Sequence, residues 1–413
     1  MTASFDDRPL QSTEELSGIR RLDSLAQTGR RLRIAFVCDT FQDGVPSGGV
    51  VAARSLVARL RERHDVVVVG ADVQGPDAVR LPGFQFPIRA MREQRFVMAR
   101  PRRDILARVF ANVDVVHLQF PFWLSMVALD EAKRAGRPVV AAFHVQPENA
   151  LLNIGVRWAW LNHAVYRYWV NRLYNRADVV LCPSEFAERK LRSHGLRANA
   201  VIVSNGVPPD AQDAPLVHRR AGRGEFVVMV VGRLAAEKRQ DLLIEAVRRS
   251  RHKQRIRLII AGMGPQEDAL RRRGSSLPNA AEVGYLPRAQ LLSELANADL
   301  FVHCGEVELE GIAVLEAMSL GVPVLVADSP ESAASQLALD ERFRFPAGDV
   351  EALTRKLDSL LDHPDLLPHA GRVGQQYART LDFGESVDKV VGIYQRVCGP
   401  SVDPWRVPAI AAG

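Results

Sequence analysis

Short apolar runs alternate along this chain with stretches rich in good helix formers. Within the runs the apolar residues are nearly continuous, a pattern typical of parallel strands that are covered on both faces. The predicted strands are 33–38, 66–70, 114–118, 138–143, 178–182, 226–231, 257–261, 300–303 and 322–327. The repeated order of strand, loop and helix predicts an α/β protein with parallel sheets.

The segment 300–327 contains the strongest candidate site. A predicted strand ends at His303, a loop carries Glu308 and Glu310, and a helix begins after Gly311. Ligands bind at the carboxyl ends of strands in open α/β sheets, and a helix N-terminus attracts anions. Glu316 lies eight residues after Glu308, inside the helix. Taken alone, such acids are ordinary solvated loop residues; together, they suit a ligand with both hydroxyls and phosphates, such as a nucleotide-sugar.

Three further polar clusters follow predicted strands. Gly48 and Gly49 lie in a predicted loop between a strand and a helix over 51–63, an arrangement that lets the backbone come close to a phosphate. The Gly-x-Gly-x-x-Gly pattern of dinucleotide-binding proteins is not present. His144 follows the strand 138–143, where a lone histidine is more often structural. Arg233 and Lys238 lie five residues apart after the strand 226–231. All three clusters are expected at the ligand-binding edge of a sheet.

The residues from Glu308 to Met318, followed by Gly321-Val-Pro-Val, resemble the signature of the family-4 retaining glycosyltransferases. The resemblance extends over about residues 32–397 and implies the GT-B fold, in which two Rossmann-like doubly wound domains face a central cleft. The variant around Glu308, with Ser329-Pro-Glu-Ser-Ala333 downstream, resembles more narrowly the diacylglycerol glucosyltransferase branch.

The resemblance implies a donor site in the second half. Arg233 and Lys238 would hold the donor diphosphate, because fixed cations stabilise the negative charge left when the sugar–phosphate bond breaks. Glu316 would accept hydrogen bonds from the ribose hydroxyls, and Leu286 belongs to a loop that would lie along the base. Glu308 would hold the sugar hydroxyls, together with the backbone N–H groups of Gly311 and Ile312.

In the first half, the resemblance implies that His144 orients the sugar and that Gly48 and Gly49 shape the acceptor side. Attack on the front face of the sugar would retain its configuration, with the leaving phosphate taking the acceptor proton. No Asp-x-Asp motif and no His/Cys metal spacing occurs, so neither a metal nor another cofactor is expected. Where many family members have a serine about four residues before the first Glu, this chain has His303, Cys304 and Gly305.

A length of 413 residues fits two α/β domains. We expect a flexible tail over 1–29, an acceptor-side domain over 30–208 and a nucleotide-sugar-binding domain over 209–384. A helix over 385–398 is expected to cross back onto the first domain, followed by a tail over 399–413. Four widely spaced cysteines and the lack of a signal peptide or spanning run predict a reduced, cytoplasmic protein.

Basic charge is concentrated in the first half. Residues 30–208 carry 26 Lys and Arg against 15 Asp and Glu, a net charge of +11, whereas the whole chain has +6. Anionic lipid, nucleic acid or a charged acceptor would each be attracted by this excess of basic residues. An arginine-rich genome would also produce the excess without a role in binding. Nucleic acid is not the expected partner. Basic and apolar residues mix over 81–110, and three of the five tryptophans fall in 157–176. One interpretation of both segments is a peripheral contact with the inner face of the membrane. The alternative for 81–110 is a solvated basic helix, and the alternative for 157–176 is a helix packed on the sheet.

The sequence therefore predicts an enzyme that moves a hexose from a UDP- or GDP-sugar to an acceptor hydroxyl, with a lipid such as diacylglycerol as one acceptor. A soluble metabolite or natural product is the alternative acceptor. Two alternatives come from other functional classes: a sugar-nucleotide epimerase and a non-catalytic sugar-nucleotide sensor.

Overall fold

The computed structural model describes residues 30–399 except 43–46, 86–95, 154–155, 157 and 213–223. The predicted terminal tails and the arginines at positions 89, 92 and 95 lie outside the described residues. The described chain forms two parallel sheets, each covered by helices on both faces, and a short antiparallel pair of strands. Each sheet lies within one of the predicted halves.

The first sheet has seven strands in the order β3-β2-β1-β6-β7-β8-β9, and all its pairings are parallel. Its strands are β1 Arg33–Val37, β2 Asp65–Gly70, β3 Ala78–Arg80, β6 Val115–Leu118, β7 Val139–Ala142, β8 Val179–Cys182 and β9 Ala200–Ile202. The antiparallel pair consists of β4 Gly83–Phe84 and β5 Met98–Ala99. Continuous burial along β6, β7 and β8 explains their largely apolar sequences, in which His117 is the one polar residue.

The second sheet has six strands in the order β12-β11-β10-β13-β14-β15. Its strands are β10 Phe226–Val231, β11 Ile256–Ala261, β12 Glu282–Gly284, β13 Leu300–His303, β14 Val324–Asp328 and β15 Arg344–Pro346. In both sheets the strand order reverses beside the first strand. In the first sheet β1 lies between β2 and β6, and in the second sheet β10 lies between β11 and β13. Such a reversal opens a crevice at the carboxyl edge of the sheet.

The helices fall into three groups along the chain. Those of the first half are α1 Gly48–Arg61, α2 Arg103–Phe110, α3 Trp123–Arg134, α4 Pro147–Asn153, α5 Ala159–Arg172 and α6 Glu185–Ser193. The short α7 Pro209–Gln212 follows the first sheet. The second half contains α8 Gln240–Arg249, α9 Glu267–Gly274, α10 Arg288–Ala296, α11 Ile312–Ser319, α12 Val350–Asp362, α13 Leu366–Ala378 and α14 Phe383–Cys398.

The last helix, α14, packs against the first sheet rather than the second. Its buried residues Val387, Val390 and Ile393 belong to the same apolar cluster as Ile34 and Phe36 of β1. A parallel bridge between Val207 and Asp382 brings the start of this helix beside the connection between the sheets. The two halves are therefore joined twice, once by the linker after β9 and once by the segment that leads into α14.

One helix boundary differs from the sequence-based elements. Gly48 and Gly49 were predicted in a loop, but they open α1, which begins three residues earlier than predicted. Glycine is unfavourable mainly in the interior of a helix, where its extra conformational freedom must be lost, and these two glycines stand at the start. Ser184 caps α6, since its Oγ accepts a hydrogen bond from the backbone N–H of Ala187 at 3.1 Å.

Candidate functional site

A basic loop follows β10 at the carboxyl edge of the second sheet. Gly232, with φ at +152°, turns the chain out of the strand, and a short 3₁₀ segment over Ala236–Lys238 leads to α8. The Arg233 guanidinium bonds the carboxylate of Glu237, which is almost fully buried. The Lys238 ammonium bonds the carboxylate of Glu308, which comes from the loop after β13. Residues 70 positions apart are thereby brought into direct contact.

Glu308 is held as an anion within this cluster. Burial acts against its ionisation, but Lys238 and, less strongly, His303 and Arg233 outweigh it, so that the pKa of Glu308 lies below its ordinary value. Its backbone is also fixed: the Glu308 N–H donates to the carbonyl of Glu331 at 3.2 Å, and its carbonyl accepts from Ala333 N–H at 2.8 Å. The predicted sugar-binding carboxylate is therefore charged and held in place.

His303 is a member of this cluster that the sequence analysis noted only as a departure from the family pattern. Its Nε2 lies 3.9 Å from Glu308 Oε2 and is buried without a hydrogen-bond partner in the described part of the chain. Burial, together with the nearby Lys238, lowers the pKa of His303 to about 4, so the ring is neutral at pH 7. A side chain at Gly305 would collide with this ring, because its Cβ would lie 2.8 Å from His303 Nε2.

The N-terminus of α11 faces the first half of the molecule. Gly311 has φ at +101°, a left-handed conformation that glycine adopts without strain, and the helix starts at the next residue. A methyl group placed on Gly48 would lie 3.8 Å from Cδ1 of Ile312. Gly48 and Ile312 therefore face one another across the cleft, and the unpaired N–H groups of the first turn of α11 open toward it.

Glu316 lies one turn further along the same face of α11. Its Oε1 accepts from Arg288 Nη2 at 2.7 Å, and the Arg288 guanidinium also bonds Asp210 of α7 at 2.6 and 2.8 Å. Burial raises the pKa of Glu316 above its ordinary value, while Arg288 opposes that shift. Arg288 occupies one carboxylate oxygen, and the second has the capacity to accept hydrogen bonds from a ligand.

Leu286 and Tyr285 occupy the loop between β12 and α10. Leu286 is partly buried and packs on the apolar cluster that includes Met229 and Phe301. Tyr285 is 61% exposed. The side chain of Leu286 thus contributes to packing, which leaves the backbone of the loop as the part that can contact a base.

On the first half, Gly49 and His144 are neighbours. A methyl group on Gly49 would lie 3.3 Å from His144 Cβ and 2.9 Å from Cε1 of Phe120. Only glycine lets the start of α1 approach the His144 loop so closely. Burial, with a smaller effect from His117, lowers the pKa of His144 to about 3, so that this ring is neutral at pH 7.

A chain of buried hydrogen bonds connects α14 to the start of α1. Tyr394 Oη lies 2.7 Å from His117 Nδ1, and His117 Nε2 lies 3.0 Å from Gln119 Oε1. The Gln119 amide N–H then donates to the carbonyl of Gly49 at 2.9 Å. Burial lowers the pKa of His117 to about 4, so the neutral ring accepts from Tyr394 and donates to Gln119. This chain fixes the backbone of Gly49 from behind.

Contacts across the cleft hold the two halves together. The Glu310 carboxylate accepts from Ser204 Oγ at 2.5 Å, from Asn205 Nδ2 at 2.5 Å and from Asn205 N–H at 3.0 Å. Burial raises the pKa of Glu310 to about 7, although these hydrogen bonds oppose the shift. Ser184 Oγ also donates to the Leu309 carbonyl at 2.6 Å. The loop that carries Glu308 is therefore anchored on the first half.

A second set of contacts lies beside the first. Gln146 Nε2 donates to the Glu331 carbonyl at 3.1 Å, and the Lys190 ammonium bonds the Glu331 carboxylate. Lys190 Nζ also lies 3.7 Å from Glu148 Oε1. Gln146 and Glu148 follow His144 in one loop, so this loop and the loop of Glu308 are held face to face.

Two family models match the chain: Glycosyltransferase Family 4 over residues 46–211 and Glycosyl transferases group 1 over residues 218–377. A GDP-mannose-dependent alpha-mannosyltransferase of Mycolicibacterium smegmatis is 31% identical over 318 residues, which are 72% of this chain and 80% of the relative. The chain belongs to the family-4 glycosyltransferases. This confirms the family predicted from the Glu308–Glu316 signature.

Two further proteins resemble this glycosyltransferase along most of its length. The alpha-monoglucosyldiacylglycerol synthase of Streptococcus pneumoniae is 22% identical over 360 residues, 82% of this chain and 80% of that protein. The crystal structure of HepE from Anabaena in complex with UDP-glucose aligns with a TM-score of 0.67 and 18% identity, covering 89% of this chain and 100% of the other. The predicted GT-B fold of two Rossmann-like halves is confirmed.

The structure brings the predicted site residues of the glycosyltransferase to the facing edges of its two sheets. Lys238 touches Glu308, and Gly48 faces Ile312 across the cleft. Sequence reasoning missed residues that act through others, namely Gln119, His117, Tyr394, Arg288, His303 and the cross-cleft role of Glu310. For His303 and Gln119 a signal existed, since each is a polar residue at the end of an apolar strand. The remaining pairings join distant parts of the chain and have no local signature.

Proposed function

We propose that this glycosyltransferase moves a hexose from a UDP- or GDP-sugar to a hydroxyl of a lipid acceptor, with retention of configuration at the sugar. The observation that carries the donor assignment is the direct contact between Lys238 and Glu308 at the helix N-terminus of α11. It places a fixed cation and a fixed anion side by side, which suits a ligand that has phosphates next to sugar hydroxyls.

Donor binding would replace these internal ion pairs. Lys238, now neutralising Glu308, would turn to the diphosphate, and Arg233, now bonded to Glu237, would provide a second cation. Glu308 would then accept hydrogen bonds from the sugar hydroxyls, supported by the N–H groups of Gly311 and Ile312. Glu316 would take the ribose hydroxyls through the oxygen that Arg288 does not occupy.

The chemistry assigned to these residues needs no metal ion. As the bond between the anomeric carbon and the diphosphate breaks, Arg233 and Lys238 would stabilise the charge on the leaving phosphate. The acceptor oxygen would bond to the same face of the sugar and pass its proton to a phosphate oxygen, while the neutral His144 orients the sugar.

Two relatives support a lipid acceptor. The pneumococcal relative is named as a monoglucosyldiacylglycerol synthase, and a phosphatidyl-myo-inositol mannosyltransferase of Mycobacterium leprae is 26% identical over 382 residues, covering 89% of this chain and 97% of that protein. The segment from Ser329 to Ala333 lies beside Glu308, as the paired backbones of Glu308 and Ser332 show. A diacylglycerol or another membrane lipid with a free hydroxyl is the substrate class we assign.

The first experiment is a thermal-shift screen of UDP- and GDP-sugars, because a ligand that binds only the native state raises its melting temperature. The best donor is then incubated with diacylglycerol, a phosphoinositide and a panel of soluble alcohols. We expect a glycolipid whose anomeric configuration, determined by NMR, matches that of the donor.

Each alternative has its own outcome. Conversion of the donor without an acceptor would indicate an epimerase, and binding without transfer or hydrolysis would indicate a sensor. An inverted product would contradict retention, and transfer to soluble alcohols alone would contradict the lipid acceptor. Addition of a chelator is expected to leave the rate unchanged.

A further inference from the structure

The aromatic residues around α5 divide into a buried set and an exposed set. Tyr166 and Trp169 lie in the core of the first half, which accounts for part of the aromatic content of this segment. Trp158, Trp160 and Tyr168 are 58%, 67% and 55% exposed. The expectation of a helix packed on the sheet therefore holds for only one face of α5, and the other face needs a different explanation.

The exposed face of α5 is continuous. Trp160, Ala164, Arg167 and Asn171 recur at intervals of three or four residues and so share one side of the helix. The ring of Trp158, just before the helix, stacks on Trp160 with 5.9 Å between centroids and 16° between planes. Two indoles are thus presented together to solvent at the start of the helix.

The charge of this face is positive. The sequence of α5 contains no Asp or Glu. Arg167 and Arg172 are exposed, and in the part of the chain that the structure describes neither side chain pairs with a carboxylate. Many other arginines in the first half do pair with a carboxylate, for example Arg103 with Glu131 and Arg176 with Asp130. These two cations are therefore available to an external anion.

A third exposed indole lies on a neighbouring helix of the first half. Trp123, at the start of α3, is 54% exposed. It follows Phe122, whose ring packs against Trp169 of α5 with centroids 6.3 Å apart. In the described part of the second half, the exposed large apolar residues Tyr285, Leu339 and Tyr377 belong to two separate loops and to α13, so the paired indoles are a feature of the first half.

The inner face of the same helix touches the candidate site. Tyr166 Oη donates to Glu148 Oε2 at 3.0 Å, and Lys190 Nζ lies 5.4 Å from the centre of the Tyr166 ring. Glu148 belongs to the loop that begins with His144. A surface bound to the outer face of α5 would therefore lie one helix away from the acceptor side of the cleft.

We propose that Trp158, Trp160, Tyr168, Arg167 and Arg172 form a docking surface for a lipid bilayer that contains anionic headgroups. Indole and phenol rings favour the headgroup region, and arginine is attracted to anionic phosphates. None of the helices within the described ranges is long and apolar enough to cross a bilayer, so this contact would be peripheral. The inference rests on the proposed function in one respect: a lipid acceptor must be reached from the membrane surface.

The test is co-sedimentation of the purified full chain with vesicles of phosphatidylcholine alone and with added phosphatidylglycerol. We expect binding mainly to the anionic vesicles, together with a blue shift of tryptophan fluorescence. The Trp158→Ser/Trp160→Ser variant should lose this binding by about tenfold or more. The Arg167→Gln/Arg172→Gln variant should lose the preference for anionic vesicles and its dependence on salt.

The matched control is Leu339→Ser/Arg272→Gln, which removes an exposed apolar and an exposed basic residue from the second half. It should bind vesicles like the unmodified protein. Unchanged binding by the double tryptophan variant, or no binding of the unmodified protein to either kind of vesicle, would overturn the proposal. The second result would direct attention to a protein partner instead.

Donor binding separates this inference from the proposed function. The melting-temperature rise produced by the nucleotide-sugar should be the same in the double tryptophan variant as in the unmodified protein. If no nucleotide-sugar shifts the melting temperature but the vesicles still bind, the proposed function fails and the docking surface stands. If the donor binds and is turned over while vesicle binding is independent of Trp158 and Trp160, the docking surface fails alone.

Discussion

Replacement of Lys238 by methionine should abolish most of the transfer activity while leaving the fold intact. Methionine keeps an apolar stem of similar length, which matters because the Lys238 Cδ packs beside Gly305, 3.5 Å from where a Cβ would lie. What is lost is one charge-assisted contact to the leaving diphosphate, worth about 2–3 kcal/mol. At 1.36 kcal/mol for each factor of ten, kcat/KM should fall by roughly 100-fold.

The same change should alter the pH dependence. Lys238 is the main group that holds the pKa of Glu308 below its ordinary value against the effect of burial. Without it the pKa of Glu308 rises, and the carboxylate becomes protonated at a higher pH. The acidic limb of the pH–rate profile of Lys238→Met should therefore move to higher pH than in the unmodified enzyme.

The assay is the initial rate of glycolipid formation over a range of donor concentrations and pH values. Lys253→Met, which removes an exposed lysine from the same half, is the control and should behave like the unmodified enzyme. Lys238→Met and Glu308→Gln should be strongly non-additive when combined, since the residues are in contact. A Lys238→Met enzyme within about threefold of normal kcat/KM would refute this assignment.

Three other changes test the supporting structure. Gly49→Ala places a methyl group 2.9 Å from Phe120 and should cost about 1–3 kcal/mol of stability and lower kcat. Gly392→Ala is the control: its methyl group would meet nothing within 4 Å outside its own helix backbone and chain neighbours, so it should be neutral or stabilising. Chemical denaturation and initial rates compare the two variants. Tyr394→Phe leaves His117 Nδ1 without its buried hydrogen-bond partner and should destabilise the protein by about 1–3 kcal/mol. It should also lower kcat by a larger factor than it raises KM. Normal stability and kinetics would contradict the role of the buried hydrogen-bond chain. The pKa of Glu310 is raised to about 7 in the folded protein from an ordinary value of 4.5, so the stability that Glu310 contributes declines as pH rises from 4.5 to 7. Glu310→Gln should flatten the fall in melting temperature over this pH range. An unchanged slope would contradict the buried position of Glu310.

The fold was largely predictable because it depends on short-range patterns. Continuous apolar strands such as β6 and β7 are recognisable from a few residues, and their parallel pairing follows from the helices between them. The helix α13 was not predicted, although 13 residues from Leu366 to Ala378 form it. Two glycines and a proline lie within that stretch, and they reduce its intrinsic helical signal.

The candidate site was predictable only in outline. Arg233, Lys238 and Glu308 stand at strand ends, where local sequence and family resemblance both direct attention. Their partners depend on tertiary contacts: Glu316 meets Arg288, and Glu310 meets Ser204, 106 residues away. Tyr394 is 277 residues from His117. Such pairings leave no periodic or compositional signal, because each partner lies in an otherwise ordinary segment.

The central claim is that one edge of the second half binds the phosphates through Lys238 and the sugar through Glu308. Calorimetric titration of the unmodified protein, Lys238→Met and Glu308→Gln with a nucleoside diphosphate and with the matching nucleotide-sugar tests it most directly. We expect Lys238→Met to weaken both ligands, and Glu308→Gln to weaken the nucleotide-sugar while the nucleoside diphosphate binds about as before. If both variants bind both ligands with unchanged affinity, this account of the site is wrong.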